Sequence, residues 1–276
     1  MKKNSFMKHF MEQLKTDPIP DWSATFAYYF MLSIFPLLIF MIALLPYFQL
    51  NIDQVYQILY DYVPSDLADL FGNTILEVIS HPQGGLVSFG VIAAMWSASN
   101  GVNALIRAVN RAYGIEETRN FLSLRLLSIL LTLCMIFVVV TTLLLPVFGK
   151  LIINGMEYLF AVPPETAEFL NVLRWIIGIG LMTLVLMFLY WAAPNVKLKF
   201  KQVIIGALSA TIGWQIISLL FSYYVTNFGN YSATYGSLGG VIVLMLWFFL
   251  TGLIIIVGGE INATIFHQKR AKAENL

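Results

Sequence analysis

Six long apolar stretches alternate with polar ones along the chain, at about residues 24–48, 85–108, 126–148, 173–193, 202–226 and 236–266. A helix of about twenty mostly apolar residues crosses the hydrocarbon layer, so each stretch predicts one transmembrane span. The last is long enough to tilt or to project beyond the bilayer. Pro36 lies inside the first, in SIFPLLIF, where the missing N–H frees a carbonyl and kinks a helix. Packing is the leading explanation of that proline, and a hinge near a cavity is the other.

The intervening segments have their own patterns. Phe6, Met7, Phe10, Met11 and Leu14 recur at i, i+3, i+4 spacing, which predicts a short amphipathic helix along the interface. Pro18 and Pro20 break it, and Asp21 is placed to cap the helix that follows. Residues 51–83 carry Asp53, Asp61, Asp66, Asp69 and Glu77 but no Lys or Arg. Their apolar positions predict two short outer helices broken at Pro64, with Ser65 as N-cap, too polar to span. Residues 149–172 read as a second outer loop, and 227–235, NFGNYSATY, as an uncharged outer turn.

Composition agrees with the pattern. The chain is 59% hydrophobic and 11% charged, against about 25% charged residues in soluble domains. The expected fold class is all-α, a polytopic membrane helix bundle of six spans with short outer interfacial helices. The expected organisation is an amphipathic arm over 1–22, a six-span domain over 23–266 and a tail over 267–276. The basic N-terminus leads into a full-length span without a small-residue cleavage site, so no cleavable signal peptide is expected. The single cysteine, Cys134, lies in an apolar run, forms no intrachain disulfide and reads as a core residue.

Charge gives the orientation. Of the sixteen Lys and Arg, all but Lys150 and Arg174 fall on one side of a six-span topology, together with both termini. The positive-inside rule makes that side cytoplasmic.

The second span also carries a polar stripe. Asn100, Asn103, Arg107 and Asn110 are spaced i, i+3, i+7, i+10, so one helix face holds all four, with Arg111 beside them. Carboxamides and a guanidinium are costly against lipid, so this face is expected to meet the protein interior or a water-filled cavity. Glu260, in VGGEINATIF, is the one acidic residue well inside a span. A carboxylate at that depth needs a cation, and Arg107 or Arg111 is the expected partner across the second and sixth spans. Gly258 and Gly259 would let another helix approach closely. Asn262 completes the list of ligand-binding or gating candidates. Glu116 and Glu117 could neutralise Arg111 or Arg119, and such pairs are weak when exposed.

Catalytic patterns are absent. The three histidines, His9, His81 and His267, lie far apart in sequence, and no HExxH, GxSxG or phosphate-cradling loop occurs. No catalytic residue, metal ligand or cofactor is expected. The basic loops are explained by topology and lack the interleaved aromatics that track nucleic acid, so no nucleic-acid partner is expected.

Several long motifs resemble the YihY/BrkB family of bacterial inner-membrane proteins. The most specific is SFGVIAAMWSASNGVNALIRAVNRAYGIEETRNF. It is accompanied by DWSATFAYYFMLSIFPLL, YWAAPNVKLKFKQVIIGALSATIGW, YGSLGGVIVLMLWFF and GGEINA, and the resemblance runs from about residue 20 to about residue 266. It implies a multi-pass protein of the bacterial inner membrane. Members have carried a "ribonuclease BN" label, and some have been linked to serum resistance or envelope-lipid traffic. The motif residues carried over include Tyr113, Glu117, Arg119, Tyr235 and Gly236. The family supplies no agreed catalytic residues.

Together these readings predict a membrane transporter or lipid-translocating protein, not an enzyme. The arginines of the polar face suit the anionic group of a lipid or a small solute. The alternative is a non-transporting scaffold or assembly factor for envelope machinery. In that case the polar face should be closed, fully paired and without a cavity.

Overall fold

The computed structural model of the chain describes residues 2–44, 47, 84–160, 164–228 and 238–274. These residues are almost wholly helical, and no strand occurs among them. Seven α-helices follow in order: α1 (Lys2–Thr16), α2 (Ile19–Leu44), α3 (Gly84–Ala112), α4 (Phe121–Phe160), α5 (Pro164–Ala192), α6 (Ile204–Phe228) and α7 (Leu238–Glu274). A 3₁₀ turn, Phe200–Val203, leads into α6. Helices α2 to α7 each contain a stretch long and apolar enough to cross a membrane. Large apolar side chains stand open along all six: Phe35, Ile92, Leu130, Trp175, Leu219 and Leu246. Apolar surface on that scale belongs against lipid. The chain is a polytopic all-α membrane protein, as its pattern predicts.

Helix ends differ from the sequence reading where local chemistry overrides hydropathy. α4 begins at Phe121, before the apolar run, because the Asn120 side chain accepts from the Ser123 N–H at 2.8 Å and caps the helix. Residues 149–172, expected to be an outer loop, are helical over 149–160 and 164–172, and 161–163 lie outside the described residues. Their polar residues occupy helical positions on extensions of α4 and α5. Asp21 does not cap α2; the helix starts at Ile19, and Asp21 lies in its first turn, where a carboxylate favours the dipole. Pro20 is tolerated there because a first-turn N–H has no intrahelical acceptor. α2 continues through Pro36. The segment 51–83 and the turn residues 229–237, with Tyr235 and Gly236, lie outside the described residues.

The chain divides into two compact units, Tyr29–Ala98 and the rest. Within the smaller unit, the parts of α2 and α3 it contains run antiparallel. Ser97 Oγ donates to the Tyr29 carbonyl at 3.2 Å, and a Cβ on Gly90 would come within 2.8 Å of the Phe40 backbone nitrogen.

In the larger unit α4, α5, α6 and α7 pack in sequence, with α1 laid on α7. Its core includes Leu105, Ile106, Leu189, Tyr190, Val203 and Ile256. Helices that share lipid as solvent gain little from apolar burial, so close approach and interhelical hydrogen bonds hold them. Thr183 donates to Thr211 at 3.1 Å between α5 and α6, and Tyr190 Oη to the Ile255 carbonyl at 2.6 Å between α5 and α7. The tightest crossing joins α6 to α7. A Cβ on Gly206 would collide with the Gly258 carbonyl and the Asn262 amide, and one on Gly258 with the Tyr190 hydroxyl. The expectation that Gly258 admits a neighbouring helix is met.

That crossing generates a stability prediction. Gly206→Ala should destabilise the protein by about 1–3 kcal/mol, the usual cost of overpacking, and lower its thermal midpoint in mild detergent. An unchanged midpoint would show that α6 and α7 do not meet this closely.

Candidate functional site

The polar residues singled out by sequence fall into separate networks, nearly all toward the end of the bundle where both described ends of the chain and most cations lie. The first is a clamp between the α3–α4 and α5–α6 connections. α3 stops at Gly114, whose φ of +65° suits glycine. Gly114 N–H donates to the Arg111 carbonyl at 2.8 Å and Ile115 N–H to the Asn110 carbonyl at 2.9 Å, a Schellman ending. The chain then turns so that Glu117 accepts two bonds from the Arg119 guanidinium, both 2.7 Å, one from the Arg119 backbone N–H at 3.0 Å, and one from the Asn110 amide at 2.8 Å. The Arg119 guanidinium also donates to the carbonyls of Ala192 (3.3 Å) and Ala193 (2.6 Å) at the C-terminus of α5, where the helix leaves its last carbonyls open. Asn195 N–H donates to Asn110 Oδ1 at 2.7 Å, and the Asn195 amide to Thr118 Oγ1 at 2.7 Å. Glu117 is thus no loosely exposed partner. Arg119 holds its carboxyl below the ordinary carboxylate range, mainly through the side-chain hydrogen bond, against an upward push from burial.

Two further networks are internal. Arg125 donates to Asn100 Oδ1 at 2.6 Å, tying α4 to α3. Buried Asn262 accepts from Gly206 N–H at 2.8 Å and donates to the Val203 carbonyl at 3.1 Å. It thereby satisfies backbone groups at the start of α6, where the first N–H groups have no helical partner.

The fourth network surrounds a cleft of about 690 Å³ among α1, the end of α3 and the end of α7. His9, Gln13, Asp17, Arg111, His267 and Arg270 line it, among others. The Gln13 amide and a His267 ring nitrogen both reach the Ala112 carbonyl, each at 3.2 Å, and Gln13 Oε1 meets the Thr264 hydroxyl. Tyr113, buried beneath, packs edge-on against Phe266 with centroids 5.3 Å apart, and burial pushes its phenol up, so it stays neutral. Asp17 is mostly covered and pairs with Arg111 Nε at 3.4 Å. Behind Asp17 lies Glu260, with no solvent exposure. Asp17 and Glu260 interact carboxyl to carboxyl, and neither Glu260 oxygen has a donor among the described residues.

The expected Glu260–arginine pair is therefore not formed. Arg111 reaches toward the cleft and binds Asp17, which sits between it and Glu260. Arg107 is exposed and is not among the residues lining the cleft. The stripe does not face inward as a unit either: Asn110 is buried, Asn100 and Asn103 are half-buried, and Arg107 and Arg111 are exposed. A face defined by 3.6-residue spacing is about 100° wide across these five positions, and it straddles the boundary of the packed bundle. Buried Asn103 Oδ1 has no partner among the described residues. Asp17, Gln13, His9, His267, Arg270 and Arg125 escaped the sequence reading. The histidines are distant in sequence, yet the rings of His9 and His267 are 6.5 Å apart. Only the Asp17-Pro18 break after an amphipathic helix could have marked the place.

The sequence pattern of the virulence factor BrkB family matches residues 10–276. The chain belongs to this family. A ribonuclease-like protein, YfkH, of Bacillus subtilis is 45% identical over 273 residues, covering 98% of each chain. A UPF0761 membrane protein of Photobacterium profundum is 24% identical over 271 residues, 96% of this chain and 82% of that one. Another, of Alkalilimnicola ehrlichii, is 26% identical over 269 residues, 94% of this chain and 58% of that one. No solved structure matches the chain. Among the described residues, no group of three or more His, Cys, Asp or Glu stands close enough to hold a metal ion. The stretch SFGVIAAMWSASNGVNALIRAVNRAYGIEETRNF ends in the clamp, which gives Asn110, Glu117 and Arg119 a structural place.

The clamp has a pH signature. A carboxyl held low in the folded state contributes stability above its unfolded value, about pH 4.3, and that stability is lost as pH falls through the lower folded value. Acidification below about pH 4 should therefore lower the thermal midpoint of the wild type more than that of Glu117→Gln, which starts lower but lacks this titration. Equal acid sensitivity in the two proteins would remove Glu117 from the clamp.

Proposed function

We propose that this BrkB-family protein is a transporter or lipid-translocating protein of the bacterial inner membrane, with the cleft open to the cytoplasm. The bias of Lys and Arg to the end holding both termini supports the orientation. The observation that carries the reading is the cleft itself: Arg111, with 66% of its side chain exposed, lines it together with Arg270, His9 and His267. A guanidinium beside a hollow at the membrane edge is suited to a phosphate or carboxylate, which it can grip through two parallel hydrogen bonds. Lipid headgroups and small anionic solutes share that chemistry. The ribonuclease-like name belongs to YfkH.

A scaffold role is the second reading, and one observation favours it. Asn110 has both ends of its amide engaged, by Glu117 and Asn195, and Asn262 is likewise committed to the α6–α7 crossing. Those parts of the polar constellation hold helices together and leave nothing for a ligand.

The two are separated by reconstituting the protein in vesicles with a fluorescent anionic phospholipid and following its movement between leaflets. Native mass spectrometry of the same preparations reports retained lipid. Transport should fall and lipid retention weaken roughly tenfold in Arg111→Ala, the loss expected for one charge-assisted contact. Arg107→Ala, outside the cleft lining, should behave as wild type. A wild-type protein that neither moves nor retains the lipid or a small anionic solute would leave the scaffold reading standing.

A further inference from the structure

We propose that Asp17 and Glu260 form a proton-binding site at the floor of the cleft, with one proton shared between the two carboxyl groups. Ionised carboxyl oxygens only accept hydrogen bonds. The register of α1 on α7 brings the two together: the rings of His9 and His267 are 6.5 Å apart, Gln13 meets Thr264, and one turn further on Asp17 faces Glu260, while no N–H or O–H of the described residues reaches either oxygen of Glu260. The donor that completes such a contact is a proton. Two bare carboxylates pressed together away from water repel strongly, which is why closely placed acidic pairs retain one proton between them.

The surroundings fit that ligand. Glu260 is completely buried at its place in α7, and Asp17, at the break between α1 and α2, is its polar neighbour toward the cleft among the described residues. Arg111, from the end of α3, pairs with Asp17 from the open side and contacts Glu260 through no ion pair. His9 from α1 and His267 and Arg270 from α7 line the cleft above. Tyr113, after α3, is buried and neutral. Tyr190 of α5 commits its hydroxyl to the Ile255 carbonyl and is not available to Glu260. The site is therefore reached from the cleft side, through Asp17.

Loss of the proton sets two negative charges against each other across the contact between the α1–α2 break and α7. Arg111 then draws Asp17 outward, so proton release loosens the floor of the cleft. Use of this site to drive movement of an anion rests on the transport reading; the proton site itself does not.

Infrared difference spectroscopy of the full-length protein in lipid nanodiscs tests it, because a protonated carboxyl has a carbonyl stretch that a carboxylate lacks. At neutral pH, where exposed Asp and Glu are ionised, the wild type should show a carboxylic-acid band. It should be absent from Glu260→Gln, which has no acid there. In Asp17→Asn the buried Glu260 keeps its acid but no longer shares the proton with a carboxyl, so the band should stay and shift in frequency. A wild type without the band, a band that survives Glu260→Gln, or a band left unshifted in Asp17→Asn overturns the shared proton. Should Glu260→Gln fail to fold, Asp17→Asn, in the break between α1 and α2, carries the test alone. The band's presence does not depend on whether any anion is moved, so failure of the transport assay leaves this result legible.

Discussion

Water is absent from the hydrocarbon layer, so a carbonyl, amide or charge carried into it has to be satisfied within the protein. Most of what is distinctive in this chain follows from that constraint. Within the spans the backbone is satisfied by helix formation, but each helix leaves carbonyls open at its C-terminus. Arg119 closes those of α5, while Gln13 and His267 share the Ala112 carbonyl of α3. Asn262 does the corresponding work at the N-terminus of α6. The polar side chains at this end therefore hold the helix ends together, and they connect α1, α3, α5, α6 and α7 through directional bonds where apolar packing against lipid-like neighbours gains little.

Set against that background, Glu260 stands out: like Asn103 Oδ1, its carboxyl oxygens lack a donor among the described residues, but here the group is an acid. Its neighbours in the same stretch, Asn262 and Thr264, are hydrogen-bonded, yet its own carboxyl oxygens meet another acid. A structural ion pair would have placed Arg111 directly on it, and Arg111 is near enough in the fold to bind the intervening Asp17 instead. Buried groups left without a conventional partner in a membrane bundle are costly to keep, and they concentrate along paths for ions, protons and substrates. The clamp and the cleft thus have different physical characters although they share a helix end: Asn110 is buried and fully bonded, whereas Arg111, the next residue, is open.

The fold was legible because its signal is strong. Six apolar runs of twenty or more residues admit few alternatives, and their helices appear near the predicted places. Boundaries were less legible, because caps such as Asn120 and a first-turn proline such as Pro20 extend helices into sequence that hydropathy alone assigns to loops. The candidate site was legible only in part. Periodicity placed Asn100, Asn103, Arg107, Asn110 and Arg111 on one face, but spacing says nothing about where that face ends against the neighbouring helices. Glu260 was recognised by its depth, and its need for a partner was sound physics; the partner's identity depended on Asp17, a residue before the first span with no intramembrane signal.

That residue also changes the reading of the N-terminal arm. An amphipathic helix ahead of a first span is ordinarily an interfacial anchor, held by lipid and free to vary in position. Here α1 packs on α7, with Gln13 touching both the end of α3 and Thr264, and Asp17 closing over Glu260. The arm is thus tied to the bundle by contacts on three successive turns, His9 beside His267, Gln13 on Thr264 and Asp17 over Glu260, so its place is set by this end of α7 and not by lipid alone.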